Sequence, residues 1–271
     1  MRTSEWVIVA YFLYLLASGA FLRARARAIL RVAALAVPTC GVVVLVAHLP
    51  LFPIAPILRD WLPGAWLMVG YWATGLLYRG PARALEAWLE AFDIRLLAWL
   101  QRRGARLPSA AAQLLEFAYL FCYPLVPAGV AVLYATGQRS RADSYWTLVL
   151  SSAFAAYSVL PWAGTRPPRT LEAGGGPARG RDRLLFRRVN LAVLAHGSIH
   201  VNTFPSGHAA SACAVTLFVA TVPGAPWVVF ALFAAAIGAG AIAGRYHFAL
   251  DVVAGVVVAV AAFVLLARSV F

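Results

Sequence analysis

The stretch HFALDVVAGVVVAVAAFVLLA, residues 247–267, decides the fold class. After Asp251 it continues uncharged and mostly apolar to Ala267, close to the ~20 residues a helix needs to cross lipid. Runs of this kind recur near 5–22, 29–47, 61–78, 110–136, 143–163, 206–222, 226–244 and 249–267. Composition agrees: 62% of residues are hydrophobic and 12% charged, against about 25% charged in an ordinary soluble domain. The expected architecture is all-α, a polytopic transmembrane helical bundle with no room for a separate soluble domain. The first run, Trp6 to Leu22, resembles a signal peptide in length. The Arg23, Arg25 and Arg27 cluster behind it is the wrong flank for cleavage, so it reads as an anchor.

The chain carries a charge of +13, and all 23 of its basic residues are arginine. A GC-rich genome is the plainer account of that bias, and bidentate binding of phosphate by guanidinium is the functional one. The arginines fall in short loops between apolar spans, which argues against nucleic acid as a partner and for anionic membrane lipid. The 23–28 turn, the 79–109 segment and the 164–205 loop hold 3, 6 and 7 arginines, against 5 on the other side. The positive-inside rule makes the richer side cytoplasmic and sends both termini outward. Residues 83–103 alternate as an amphipathic helix. It either lies at the interface or packs on the bundle, with its acids mainly off the apolar stripe. Residues 164–205 form the longest polar connection, loose from Glu172 to Arg183 and with a short helix expected over Leu184–Leu194. Cys40, Cys122 and Cys213 are scattered small hydrophobes, without a disulfide or zinc pattern.

Two short elements carry the chemistry. His247 and Asp251 are spaced i, i+4, so a helix beginning here puts both on one face. The carboxylate then fixes the imidazole tautomer and leaves the other ring nitrogen as nucleophile or base. A structural buried pair is the plainer alternative. Pro205-Ser206-Gly207-His208 opens another apolar run. Its backbone N–H groups, the Ser206 hydroxyl and the small Gly207 suit an anion at a helix N-terminus, with His208 as proton donor. An ordinary helix start is the competing reading. Arg166 and Arg169 close the preceding span and could clamp phosphoryl oxygens, as could Arg245; topogenic arginines explain them equally. His196 and His200, even taken with His208 and His247, make a poor metal site because no carboxylate pattern joins them; His200 lining the pocket entrance is the better reading. His48 and Glu116 read as span-boundary residues.

These elements follow an order that resembles the type 2 phosphatidic acid phosphatase superfamily, whose signature is Lys-x6-Arg-Pro, Pro-Ser-Gly-His, then Ser-Arg-x5-His-x3-Asp. The second element is intact at 205–208 and the end of the third at His247 and Asp251. The family lysine falls at Val159 or Trp162, and the third-element arginine at Ala241, with Arg245 nearby. The strings Asn202–His208 and Arg245-Tyr246-His247 are similar to the inositol phosphorylceramide synthase branch. The resemblance implies a six-helix core within 61–271 and an N-terminal transmembrane hairpin over 1–60. It implies a lipid phosphate substrate, with His247 as nucleophile forming a phosphohistidine, Asp251 orienting it, and His208 protonating the leaving group. Ser206, Gly207, Arg166, Arg169 and Arg245 would hold the phosphate, with no metal or cofactor. Water as acceptor makes the protein a phosphatase of a lipid phosphate or pyrophosphate; an alcohol makes it a phosphotransferase. A non-catalytic transporter or structural protein is the reading from outside enzymology. The expected location is a bacterial inner membrane with the site facing the cytoplasm. Neither the lipid nor the oligomeric state is encoded in these motifs.

Overall fold

A computed structural model of the chain describes residues 1–48, 54–104, 108–171, 183–201 and 204–270. Those residues are helical with short connections. The order is α1 (Thr3–Phe21), α2 (Ala26–His48), α3 (Ala55–Gly75), α4 (Arg83–Gly104), α5 (Ser109–Leu120), α6 (Cys122–Ala135) and α7 (Ala142–Ser158). It continues with α8 (Leu160–Ala163), α9 (Pro168–Leu171), α10 (Leu185–Gly197), α11 (Gly207–Val219), α12 (Trp227–Ala243) and α13 (Ala249–Val270). The stretch expected to be loose, from Glu172, lies almost wholly outside the described residues.

Each expected span coincides with helix, but not all with one long helix. Among the described residues four segments are long and apolar enough to cross a membrane: Thr3–Phe21, Ala26–His48, Arg139–Ala163 and Ala249–Ala267. The run expected over 110–136 is instead broken, and α5 meets α6 at 58°. Pro124 lies just beyond the break: it has no N–H for the Leu120 carbonyl, and its ring would clash there. The run near 206–222 yields only the 13 helical residues of α11, and that near 226–244 the 17 of α12. At 1.5 Å per residue, α11 covers about 20 Å, short of the ~30 Å hydrocarbon core.

Contacts between distant residues sort the helix ends into two groups, as alternating passes require. At one end, Asp60 on α3 accepts from Arg2 (2.7 Å), Arg139 (2.7 Å) and Tyr134 (2.8 Å), while Asp143 caps α1 through the Thr3 and Ser4 N–H groups. At the other end lie the close of α3 and α7, α10, and the starts of α11 and α13. Between them runs one apolar cluster from Ile8 to Ala259. Tyr11 of α1 stacks on Phe154 of α7 at 3.9 Å, so the N-terminal hairpin shares this core. Aromatic stacking of this kind contributes about 1 kcal/mol beyond burial.

Helix α4 departs from the expected arrangement. Its acids do not all face outward: Glu86 and Asp93 are buried with Leu89. Burying a carboxylate is costly unless it is paired, and both are paired, with consequences for the site.

Candidate active site

The turn between α12 and α13 delivers His247. Helix α12 closes with a pair of backbone bonds, Tyr246 N–H to the Ala241 carbonyl and Arg245 N–H to the Ile242 carbonyl. This is the Schellman arrangement, whose left-handed position glycine usually fills. Here Arg245 fills it, at φ +59°. The strained arginine is held from two sides. Its guanidinium donates to Asp93 (2.8 Å), and its carbonyl accepts from the Arg169 N–H (3.1 Å). The other Asp93 oxygen accepts from the Ala249 N–H (2.9 Å) and so fixes the start of α13. Burial pushes the Asp93 carboxyl above its ordinary range, against the pull of the Ala249 N–H and Arg245.

Downstream of the turn, Asp251 Oδ2 lies 3.3 Å from His247 Nδ1 and accepts from the Phe248 N–H at 2.9 Å. With Nδ1 protonated toward the carboxylate, Nε2 is the ring nitrogen left to react. The Asp251 carbonyl accepts from the Ser206 N–H (2.9 Å), joining the second sequence element to the third. Ser206 caps α11 through the Ala209 N–H. A Cβ on Gly207 would overlap the Tyr157 ring, and one on Gly255 the Ser206 carbonyl. Both glycines are therefore needed where the two helices and α7 meet.

The His208 and His247 rings face each other at 72°, with centroids 5.9 Å apart. That is too far for a direct hydrogen bond and leaves a gap between two imidazoles. The cavity there is lined by Arg169, Tyr71, Tyr119 and Tyr246 as well as both histidines. Its volume is about 20 Å³, enough for a water. A phosphoryl group is larger, so binding it requires the wall to move; Pro167, Ser198, Val201, Tyr246 and His247 form the non-helical part of that wall. Beside it, and sharing His208, Tyr71 and Tyr157, opens an apolar cavity of about 390 Å³ between α3, α6 and α7.

Of the residues expected in the site, the structure brings together His208, His247, Asp251 and Arg169. Arg166 is turned away, its backbone and guanidinium bonded to Glu86 at 2.6–3.3 Å. Burial pushes the Glu86 carboxyl up, but these Arg166 contacts outweigh it and hold the group below its ordinary range. Arg245 is likewise on Asp93, not on the cavity. Ser206 and Gly207 act as cap and packing surface, and the cavity lining includes neither. His200 is exposed, and His196 faces the Ala192 carbonyl.

Sequence reasoning missed the aromatic and acidic frame. Tyr246 stacks on Tyr119 (4.2 Å), whose ring meets the edge of His208 (5.6 Å). The Arg169 and Arg187 guanidiniums both lie over the Tyr246 ring, at 5.4 and 5.2 Å. Glu116 anchors this frame by accepting from Tyr246 (2.6 Å), Arg187 (3.1 Å) and Asn190 (2.8 Å). A lone acid inside an apolar run was the available signal. Among the described residues no carboxylate pairs with Arg169. Burial disfavours its charge, partly offset by Tyr119 and Tyr246, so an arriving anion would supply the missing counter-charge.

Comparison with curated proteins and with solved structures gave no match. The comparison with protein families did: the model described as PAP2 superfamily matches residues 83–265. The matched region takes in α4, the Arg166–Arg169 segment, both histidines and Asp251. The chain, an all-helical protein with membrane-length helices, thus belongs to the PAP2 superfamily.

Proposed function

We propose that this protein is a metal-independent phosphatase of a lipid phosphate or pyrophosphate, working through a phosphohistidine on His247. Members of the superfamily are generally phosphoesterases. The observation that carries the finer reading is the position of His208. It lies where a narrow cavity containing Arg169 and His247 adjoins the 390 Å³ apolar cavity. A phosphate head and an apolar tail would each find matching surroundings on one histidine.

In this scheme His247 Nε2 attacks phosphorus, forming a P–N bond as the P–O bond to the leaving group breaks. His208 gives its proton to the departing oxygen, and Asp251 stabilises the charge on His247 through Nδ1. A water then attacks phosphorus, His208 takes its proton, and the P–N bond breaks to release inorganic phosphate and free His247. Arg169 binds the phosphoryl oxygens as charge develops. Water as acceptor needs no second binding site. The arginine-rich segments share the end of the bundle that holds the histidines, which supports a cytoplasmic-facing site in a bacterial inner membrane. Labelling a cysteine placed at Arg188, with Cys40, Cys122 and Cys213 replaced, tests the facing: reaction with an impermeant reagent in intact cells refutes it.

Purified protein is incubated with a panel of radiolabelled lipid phosphates and pyrophosphates, with and without acceptor alcohols. Free phosphate and an acid-labile protein label, both lost in His247→Ala, are expected. Phosphorylated alcohol without free phosphate would make it a transferase. No turnover of any lipid, with the protein folded, would refute the enzyme reading.

A further inference from the structure

At the membrane face carrying the histidines, a third cavity of about 810 Å³ opens between the α1–α2 turn and the segment after α3. Arg23, Arg25, Arg27, Arg31 and Arg79 all line it, beside Tyr78. These guanidiniums differ from others in the chain. Arg2, Arg59, Arg139, Arg166, Arg187 and Arg245 each sit on a carboxylate. Among the described residues no ion pair holds any of the five, and no acid lines their cavity.

Five like charges brought together from two separate segments repel one another. Topology alone requires them on this side of the membrane, not around one cavity. The setting is that of a bilayer interface. The arginines lie where α1 ends and α2 begins, both long enough to cross a membrane. Phe21 (75% exposed) and Leu30 (67% exposed) sit beside them, and Phe21 lies 5.5 Å from the exposed Trp162 ring. A tryptophan such as Trp162 belongs at the headgroup level. A ligand here would meet guanidiniums at its head and exposed apolar side chains along its tails.

We propose that this cavity is a binding site for the phosphate headgroup of an anionic phospholipid, separate from the catalytic cavity. Planar guanidiniums bind phosphate bidentately, and basic pockets between membrane helices suit such headgroups. The site adjoins the active-site connection: three residues after Arg79, the Ala82 N–H donates to the Gly164 carbonyl at 2.9 Å. The assignment stands whether or not His247 acts on a lipid phosphate.

The test is native mass spectrometry of the delipidated full chain with added phosphatidylglycerol or phosphatidylcholine. The triple variant Arg25→Gln, Arg27→Gln, Arg79→Gln is compared with a control of equal charge loss, Arg83→Gln, Arg183→Gln, Arg188→Gln. Each basic residue near an anionic headgroup contributes about a fivefold factor in binding. Phosphatidylglycerol retention should therefore fall on the order of a hundredfold in the first variant and much less in the control. Lipid-induced thermal stabilisation of the unmodified protein gives a second readout: phosphatidylglycerol should raise the melting temperature more than phosphatidylcholine does. Equal retention of the two lipids, equal losses in variant and control, or inorganic phosphate displacing the lipid would each overturn the assignment.

Discussion

Replacing Arg245 by glycine separates two roles for this residue: a cation that holds phosphate, or a clamp that holds the turn. Glycine is the natural occupant of φ +59°, and relieving a left-handed non-glycine residue gains about 1–2 kcal/mol. The same change leaves Asp93 buried without its cation, and breaking one half of a buried pair costs about 3–5 kcal/mol. The Ala249 N–H remains as a partner for Asp93. Arg245→Gly should thus destabilise the protein by about 1–4 kcal/mol, and activity should fall because the turn carrying His247 loosens. Adding Asp93→Asn removes the stranded charge while keeping an acceptor for Ala249. The double variant should recover most of the stability, since both charges are gone and the turn has its preferred residue. It should recover much of the activity as well. The assay is thermal unfolding in detergent alongside kcat and KM for the single and double variants. If the double variant regains stability but stays as inactive as the single, Arg245 acts on substrate and the clamp reasoning is wrong.

Three further outcomes follow from the same geometry. Arg169→Gln should lower kcat/KM by roughly 10²–10³ with little change in melting temperature, since no carboxylate among the described residues depends on it; unchanged kinetics would remove it from the site. Gly64→Leu should raise KM for long-chain lipid phosphates far more than for short-chain ones. Gly64 lines the apolar cavity, and a Cβ there already comes within 3.3 Å of Trp146; a uniform effect on all chain lengths would count against a tail site. The Glu86 carboxyl is held below its ordinary range when folded, so its stabilising contribution is present above its unfolded pKa of about 4.3. That contribution is lost as pH falls through the lower folded value. The acid limb of the stability profile should flatten in Glu86→Gln, and an unaltered limb would show that the Arg166 contact does not persist in solution.

How much was legible beforehand depended on how far each signal travels along the chain. Hydropathy is summed over twenty residues, so the apolar runs located the helices well. It did not reveal the bend at Phe121 or the shortness of α11, where local backbone geometry and packing intervene. His247 and Asp251 are four residues apart on one helix, and their contact follows from helical geometry. His208 was named from its motif, but its 5.9 Å approach to His247 depends on the bond from Ser206 to Asp251 across two helices. The arginines were the weak point. Arg166, Arg169 and Arg245 look alike in sequence, and only their distant partners tell them apart.

The sequence by itself determined a helical membrane protein, the pair of histidine motifs, and the absence of lysine around them. Those properties are carried by composition and by neighbours within one turn of helix. Only the tertiary structure decided which cations stay available. It set Glu86 on Arg166 and Asp93 on Arg245, left Arg169 facing the catalytic cavity, and gathered five other arginines around a separate one. A buried carboxylate takes the nearest guanidinium because an unpaired charge in low dielectric is costly. Which guanidinium is nearest is a property of the fold.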